Sequence, residues 1–231
     1  MIENSRTYSF EDYLSALASM TKFKITIAVC TTTLVGFVLA RKGIDASISM
    51  PALALFLVAS GSAALNHFQE HHLDSRMGRT KGRMISSGMM SSWNVLGLAV
   101  LLISLGVGAL YISAGTNPAL LGVLALIWYN GIYTPLKRVS PFAVIPGGVI
   151  GMLPPLIGWN IGGGYLADPT ILAFCFFIFI KSNIYCVGDA DNPAILPAII
   201  SLSMFFLAKQ YTGITIEFFV IAFGKAENPP R

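Results

Sequence analysis

The chain has 231 residues, 15 of them Lys or Arg and 11 Asp or Glu, for a formal net charge of +4. Hydrophobic residues make up 55% and charged residues 11%, against roughly 25% charged in soluble domains, and the mean hydropathy is +0.70. This excludes a soluble globular enzyme, a disordered chain and a disulfide-stapled secreted module. It predicts an all-α polytopic protein of the lipid bilayer with no nucleic-acid partner and room for at most about eight spans of about 20 residues.

Residues 1–21 carry Glu3, Glu11 and Asp12 and no apolar core. They are expected as a cytoplasmic segment, not a cleavable signal peptide, ahead of a single transmembrane domain in a chain taken as one unit, 1–231. Apolar runs place spans at about 22–40, 47–66, 93–113, 117–133, 142–162, 168–187 and 194–211. A last run at about 214–224 is too short to cross upright, so seven to eight spans are expected. Cys30, Cys175 and Cys186 lie in apolar stretches without ligand-like spacing and read as small buried hydrophobes.

Basic residues gather on one side of this arrangement. Arg6 precedes the first span and Lys22 and Lys24 stand at its very start; Arg76, Arg79, Lys81 and Arg83 follow the second; Lys137 and Arg138 follow the fourth. The positive-inside rule then puts the N-terminus and these loops in the cytoplasm, in the manner of a bacterial inner-membrane protein.

The polar residues of interest cluster on the same loops. In 66–83, N-H-F-Q-E-H-H-L-D-S-R-M-G-R-T-K-G-R, the residues Asn66, Glu70 and Asp74 stand at i, i+4 and i+8. On a helix they share one face, about 6 Å apart step to step. Oxygen ligands stacked at a helix end suit a hard divalent cation such as Mg²⁺, which takes the rest of its shell from waters and a substrate phosphate. Arg76, Arg79 and Arg83 follow at once and suit a diphosphate. His67-Phe68-Gln69-Glu70-His71 also fits H-x-x-E-H, a zinc-hydrolase pattern, with Glu70 as base. No third ligand is evident.

Residues 129–138, Y-N-G-I-Y-T-P-L-K-R, put Tyr129 and Tyr133 on one helical face with Lys137 and Arg138 just beyond. In 141–159, P-F-A-V-I-P-G-G-V-I-G-M-L-P-P-L-I-G-W, Gly147, Gly148 and Gly151 permit close helix approach. Pro154 and Pro155 are expected to kink the span and free carbonyls toward a cavity. Asp189 and Asp191, in G-D-A-D-N-P, end the sixth span as Glu70 and Asp74 end the second.

Taken together, N-x-x-x-E-x-x-x-D-x-x-M-x-R-T-x-x-R at 66–83 resembles the first motif of the UbiA superfamily of intramembrane prenyltransferases. R-T-K-G-R, Y-N-G-I-Y-T-P-L-K-R-V-S-P and G-M-L-P-P-L-I-G-W are similar to its protoheme IX farnesyltransferase (haem O synthase) branch, the match running with gaps from about residue 20 to about 200. The resemblance implies a helix bundle around a central cavity and a prenyl diphosphate bound through Mg²⁺. Carried over, Asn66, Glu70 and Asp74 hold the metal, with Asp189 and Asp191 as the second acidic site. Arg79 and Arg83 contact the diphosphate, helped by Arg76, Lys137 and Arg138. Tyr129, Tyr133 and Trp159 are expected to line the cavity, where a ring face can meet a carbocation. Haem B is the implied acceptor and farnesyl the implied donor group.

Glu70 stands where the family usually has Asp, and Met84 where it usually has Pro. Residues 180–185, I-K-S-N-I-Y, lack the histidine segment of the haem branch, and the chain is C-terminally short of the family's nine spans. The alternatives are therefore a quinone-type aromatic acceptor, a non-catalytic membrane paralogue, and the zinc protease built on His67, Glu70 and His71.

Overall fold

A computed structural model describes residues 9–74 and 83–187, without the side chains of Phe10, Asp12 and 181–187. Among the described residues the regular elements are all helical: α1 (Phe10–Met20), α2 (Phe23–Arg41), α3 (Ser49–Asp74), α4 (Ser92–Ala114), α5 (Thr116–Ile127), α6 (Thr134–Leu136), α7 (Val144–Ile161) and α8 (Pro169–Val187). A π-helical turn, Trp128–Tyr133, joins α5 to α6. Five segments are long and apolar enough to cross a membrane: Phe23–Arg41, Ala46–Asp74, Ser92–Ala114, Thr116–Leu136 and Pro141–Ile161; Pro169–Ile180 is a shorter apolar stretch. The five match the first five expected spans, and α8 occupies the position of the sixth. The runs at 194–211 and 214–224 lie outside the described residues.

The second span is longer than its apolar run. Helix α3 continues for 26 residues to Asp74, so the i, i+4, i+8 ladder is helical as the spacing requires. The N-terminal segment holds an unexpected helix. In α1, Ala16 and Met20 pack on Ala64, Met84, Val95 and Ala99, while Tyr13, Leu14 and Leu17 face outward. A short helix with one face on the bundle and apolar residues on the other suits the membrane interface.

Helices α2, α3, α5 and α7 surround a cavity of about 260 Å³. Helix α4 backs α3, and α8 backs α7. Small residues set the spacing. At the α2–α7 crossing a Cβ on Gly158 would sit 1.8 Å from the Thr33 carbonyl oxygen, and one on Gly36 would sit 2.0 Å from that of Pro155. Gly61 and Gly106 bring α3 and α4 backbone to backbone in the same way. Lipid tails are as apolar as the side chains, so close van der Waals packing of this kind drives helix association in a bilayer. Helix α7 runs unbroken through Pro154 and Pro155; these two residues supply no N–H for the Ile150 and Gly151 carbonyls.

Two local features aim side chains at the cavity. The α1–α2 hinge turns at Lys22, with φ 48 and ψ 50, a left-handed conformation that costs a non-glycine residue about 1–3 kcal/mol. The π turn has an identifiable cause. The Thr134 N–H reaches Tyr129 O, five residues back, and Pro135 has no N–H for the next carbonyl, that of Asn130. Gln69 Nε2 of α3 donates to that carbonyl at 3.3 Å instead, and the Trp128 indole N–H bonds Pro146 O of α7 at 3.1 Å.

Candidate active site

The cavity is apolar along its shaft and polar at one end. Ile25 and Val29 of α2, Leu55 and Val58 of α3, Leu126 of α5 and Ile157 of α7 line the shaft, and Lys22, Tyr129, Tyr133 and Lys137 line the end that carries the basic residues.

Asn66 is the centre of this mouth and is 1% exposed. Its Nδ2 donates to Glu70 Oε2 at 2.7 Å. Its Oδ1 accepts from Tyr129 OH at 2.9 Å, from Lys22 Nζ at 3.3 Å and from Lys137 Nζ at 3.5 Å. One side of the amide thus meets an acid and the other meets donors, which fixes its orientation. Lys137 Nζ pairs with Glu70 Oε1 at 2.8 Å, and Arg138 Nε lies 4.0 Å from the same oxygen. Arg138 also donates to Gln69 O at 2.9 Å. One turn beyond, Asp74 is buried and takes a two-pronged bond from Arg83 Nη1, at 2.8 and 2.7 Å.

The tyrosines stack at 5.7 Å between ring centroids, with Lys22 Nζ 5.6 Å from the Tyr129 ring and Lys137 Nζ 5.4 Å from the Tyr133 ring. Both tyrosines lie in the π turn, and π bulges recur at functional sites. Asn130 is buried and anchors the turn through Nδ2 to Oγ of Ser62, a cavity-lining residue, at 2.6 Å. Lys22 lies outside the spans, and burial pushes its ammonium below the usual lysine range, partly offset by the Glu70 carboxylate.

The structure therefore brings together Asn66, Glu70, Tyr129, Tyr133, Lys137 and Arg138, with Asp74 and Arg83 adjacent. Arg76, Arg79, Asp189 and Asp191 lie outside the described residues. Trp159 is a correction. It does not line the cavity but packs with Val35, Leu39, Ile171 and Phe174, and its indole N–H bonds Tyr165 O at 2.9 Å. The Gly162–Gly164 turn folds over the ring, where a Cβ on Gly164 would sit 2.1 Å from the indole nitrogen.

Sequence reasoning missed Lys22, Gln69 and Ser62 at this site. Lys22 read only as a topogenic charge, and its partners Asn66 and Tyr129 are 44 and 107 residues away. For the H-x-x-E-H pattern, His67 is buried with Nε2 unpartnered, and His71 Nδ1 lies 2.6 Å from Phe68 O. Among the described residues no three His, Cys, Asp or Glu side chains group as a metal site, so the zinc reading gains no third ligand there. Mg²⁺ asks less of the protein, one or two carboxylates beside a substrate phosphate. The hard oxygens of Asn66, Glu70 and Asp74 on one helix face fit that demand.

No solved structure matches the chain. It is similar to a protein named protoheme IX farnesyltransferase from Oleidesulfovibrio alaskensis, 30% identical over 205 residues, which is 87% of this chain and 72% of the relative. Its likeness to one of the same name from Nitratidesulfovibrio vulgaris is 33% over 161 residues, 69% of this chain and 55% of the relative. For the one from Ectopseudomonas mendocina it is 29% over 222 residues, 94% and 73%. The chain thus spans between 55% and 73% of the length of these relatives. Residues 29–190, which hold the whole cavity mouth except Lys22, match the pattern of the UbiA prenyltransferase family, and this integral membrane protein belongs to that family.

Proposed function

We propose that the protein transfers a farnesyl group from farnesyl diphosphate to a vinyl group of haem B, giving haem O, in a Mg²⁺-dependent reaction at the mouth of the cavity. One observation carries this reading. An apolar shaft ends on two ammonium groups, two stacked phenols and a carboxylate ladder, which suits a molecule with a long hydrocarbon tail and a polyanionic head. The names of the relatives support farnesyl as donor group and haem as acceptor.

Asn66, Glu70 and Asp74, with Asp189 and Asp191, would hold Mg²⁺, which when bound offsets charge on the diphosphate. Lys137, Arg138 and Arg83, with Arg76 and Arg79, bind diphosphate oxygens as the allylic C–O bond breaks and its electron pair leaves with the diphosphate. Lys137 and Arg83 now pair with Glu70 and Asp74; metal and substrate together would release them for phosphate. The Tyr129 and Tyr133 ring faces stabilise the allylic cation, and the shaft keeps water from it. The acceptor vinyl group then attacks, and water adds to the resulting cation and gives up a proton, to the departed diphosphate or to solvent, leaving the hydroxyl of haem O. The basic mouth faces the cytoplasm of a bacterial inner membrane.

The test is transfer of labelled farnesyl from the diphosphate in membranes carrying the full chain, with Mg²⁺ and haem B, and with quinone-type aromatic acids in parallel. A Mg²⁺-dependent haem O peak that Asp74→Asn abolishes is the expected result. Label on a quinone-type acid moves the acceptor. No transfer by folded protein points to a non-catalytic paralogue.

A further inference from the structure

The apolar shaft has a floor. Leu55 of α3 and Ile157 of α7 both line the cavity. Both also belong to one packed cluster with Ala54 and Leu110, against which Val29 of α2 packs as well. Leu55 is 3% exposed and Ile157 is fully buried. Each side chain thus borders the cavity on one side and close-packed neighbours on the other. Protein interiors pack as densely as organic crystals, so a hydrocarbon chain that reaches this layer meets a wall and not a soft end.

The depth of the floor follows from α3, which runs unbroken from Ser49 to Asp74. Asn66 at the mouth and Leu55 at the floor are 11 residues apart on this helix, about 16 Å at the helical rise. An extended prenyl chain advances about 1.25 Å per C–C bond, so a farnesyl group measures about 14 Å and a geranylgeranyl group about 19 Å. Three isoprene units fit between mouth and floor, and a fourth would have to pass through Leu55. Ala59 stands one helical turn above Leu55 on the same face and lines the same cavity. Its methyl group leaves the shaft open at that level.

We propose that Leu55, backed by Ile157, sets the length of the prenyl donor: its side chain closes the shaft at a depth that admits three isoprene units and excludes four. Ala59 is the position at which a larger side chain would move that limit to two. The proposal rests on the prenyl-transfer reading for the nature of the chain in the shaft, and it assigns the selection of chain length to named residues.

Binding decides it without turnover. The thiolodiphosphates of geranyl, farnesyl and geranylgeranyl, whose C–S bonds resist cleavage, are titrated with Mg²⁺ into the full chain in neutral detergent by calorimetry. Wild type should prefer farnesyl to geranylgeranyl by at least about 10-fold, because the last unit cannot be buried. Leu55→Ala lowers the floor by about 4 Å, one carbon–carbon contact, and should bring the two within about twofold of each other. Ala59→Leu raises the floor by one turn, about 6 Å. It should weaken farnesyl by at least about 10-fold and leave geranyl within about twofold of wild type. Inorganic pyrophosphate should bind all three proteins alike, since the mouth is untouched, which separates a changed floor from a lost fold. Ala59→Leu only adds to open space, so it decides alone if Leu55→Ala does not fold. A wild type that binds farnesyl and geranylgeranyl equally, or an Ala59→Leu protein that binds farnesyl as wild type does, overturns the proposal. Length selection that shifts with Ala59→Leu, but with no transfer to any acceptor, keeps the floor and rejects the farnesyl-transfer reading. Farnesyl transfer with no shift in length selection does the reverse, and a wild type that binds none of the three analogues overturns both.

Discussion

The α2–α7 seam and the cavity mouth are built on opposite terms. At the seam, Gly36, Gly158 and Gly162 bring two backbones together with no space for a methyl group. The contact is rigid, apolar and without a charge. At the mouth, long side chains from the hinge, α3 and the π turn meet across the open end of the same bundle. Lys22, Glu70, Tyr129 and Lys137 hold one another through Asn66. The seam has one arrangement, because backbone cannot yield. The mouth can rearrange, because each of its bonds ends on a rotatable group that a substrate can replace. The comparison teaches that the seam governs whether the chain folds and the mouth governs what it binds.

Substitutions on the two sides should therefore fail differently. The largest effect is expected from Gly158→Leu. Its side chain would start 1.8 Å from the Thr33 carbonyl oxygen, and overpacking against backbone exceeds the usual cost of about 1–3 kcal/mol. Little monodisperse protein should be recovered by size exclusion in detergent. A normal yield would show that the helices part without penalty and would break the contrast.

Glu70→Gln comes next and should leave the fold intact. The neutral amide removes the charge facing Lys137, and prenyl transfer should fall at least about 100-fold with an unchanged melting temperature to within a few degrees. Lys137→Met should act through donor binding, raising KM for the diphosphate by about 10-fold or more while the protein still folds. An equal drop in kcat with KM unchanged would instead tie Lys137 to the transition state alone.

Tyr129→Phe removes a hydroxyl that bonds Lys22 and Asn66 but keeps the ring. A loss of about 10-fold in kcat/KM is expected, because one of the two bonds is to an ammonium and the other is neutral. The smallest effect belongs to Gly147→Ala, where the new methyl would sit 3.1 Å from the Tyr133 ring. A ring moves by a few tenths of an ångström where backbone does not, so a change below about 3-fold in rate is expected. Together these series grade the molecule from seam to mouth.

The spans were legible because a bilayer demands long apolar runs, and the ladder of Asn66, Glu70 and Asp74 was legible because helical spacing is local. Tyr129 and Tyr133 were legible for the same reason. Trp159 was misplaced because its identity as an aromatic in a Gly- and Pro-rich span says nothing about which side of α7 it takes. The fold of the Gly162–Gly164 turn over its indole decides that. Helix α1 was overlooked because 11 residues of mixed polarity carry no span signal.

By itself the amino-acid order determined that this is an all-α membrane protein, which segments cross, and which acids and arginines crowd its basic loops. Those properties depend on composition and on spacing within one helix. Tertiary structure alone decided that the hinge lysine reaches Asn66 and Tyr129, that Gln69 caps the carbonyl that Pro135 leaves open, and that Trp159 stays out of the cavity. Each of these joins groups from different elements, and such distances follow from how helices pack, which no local pattern encodes.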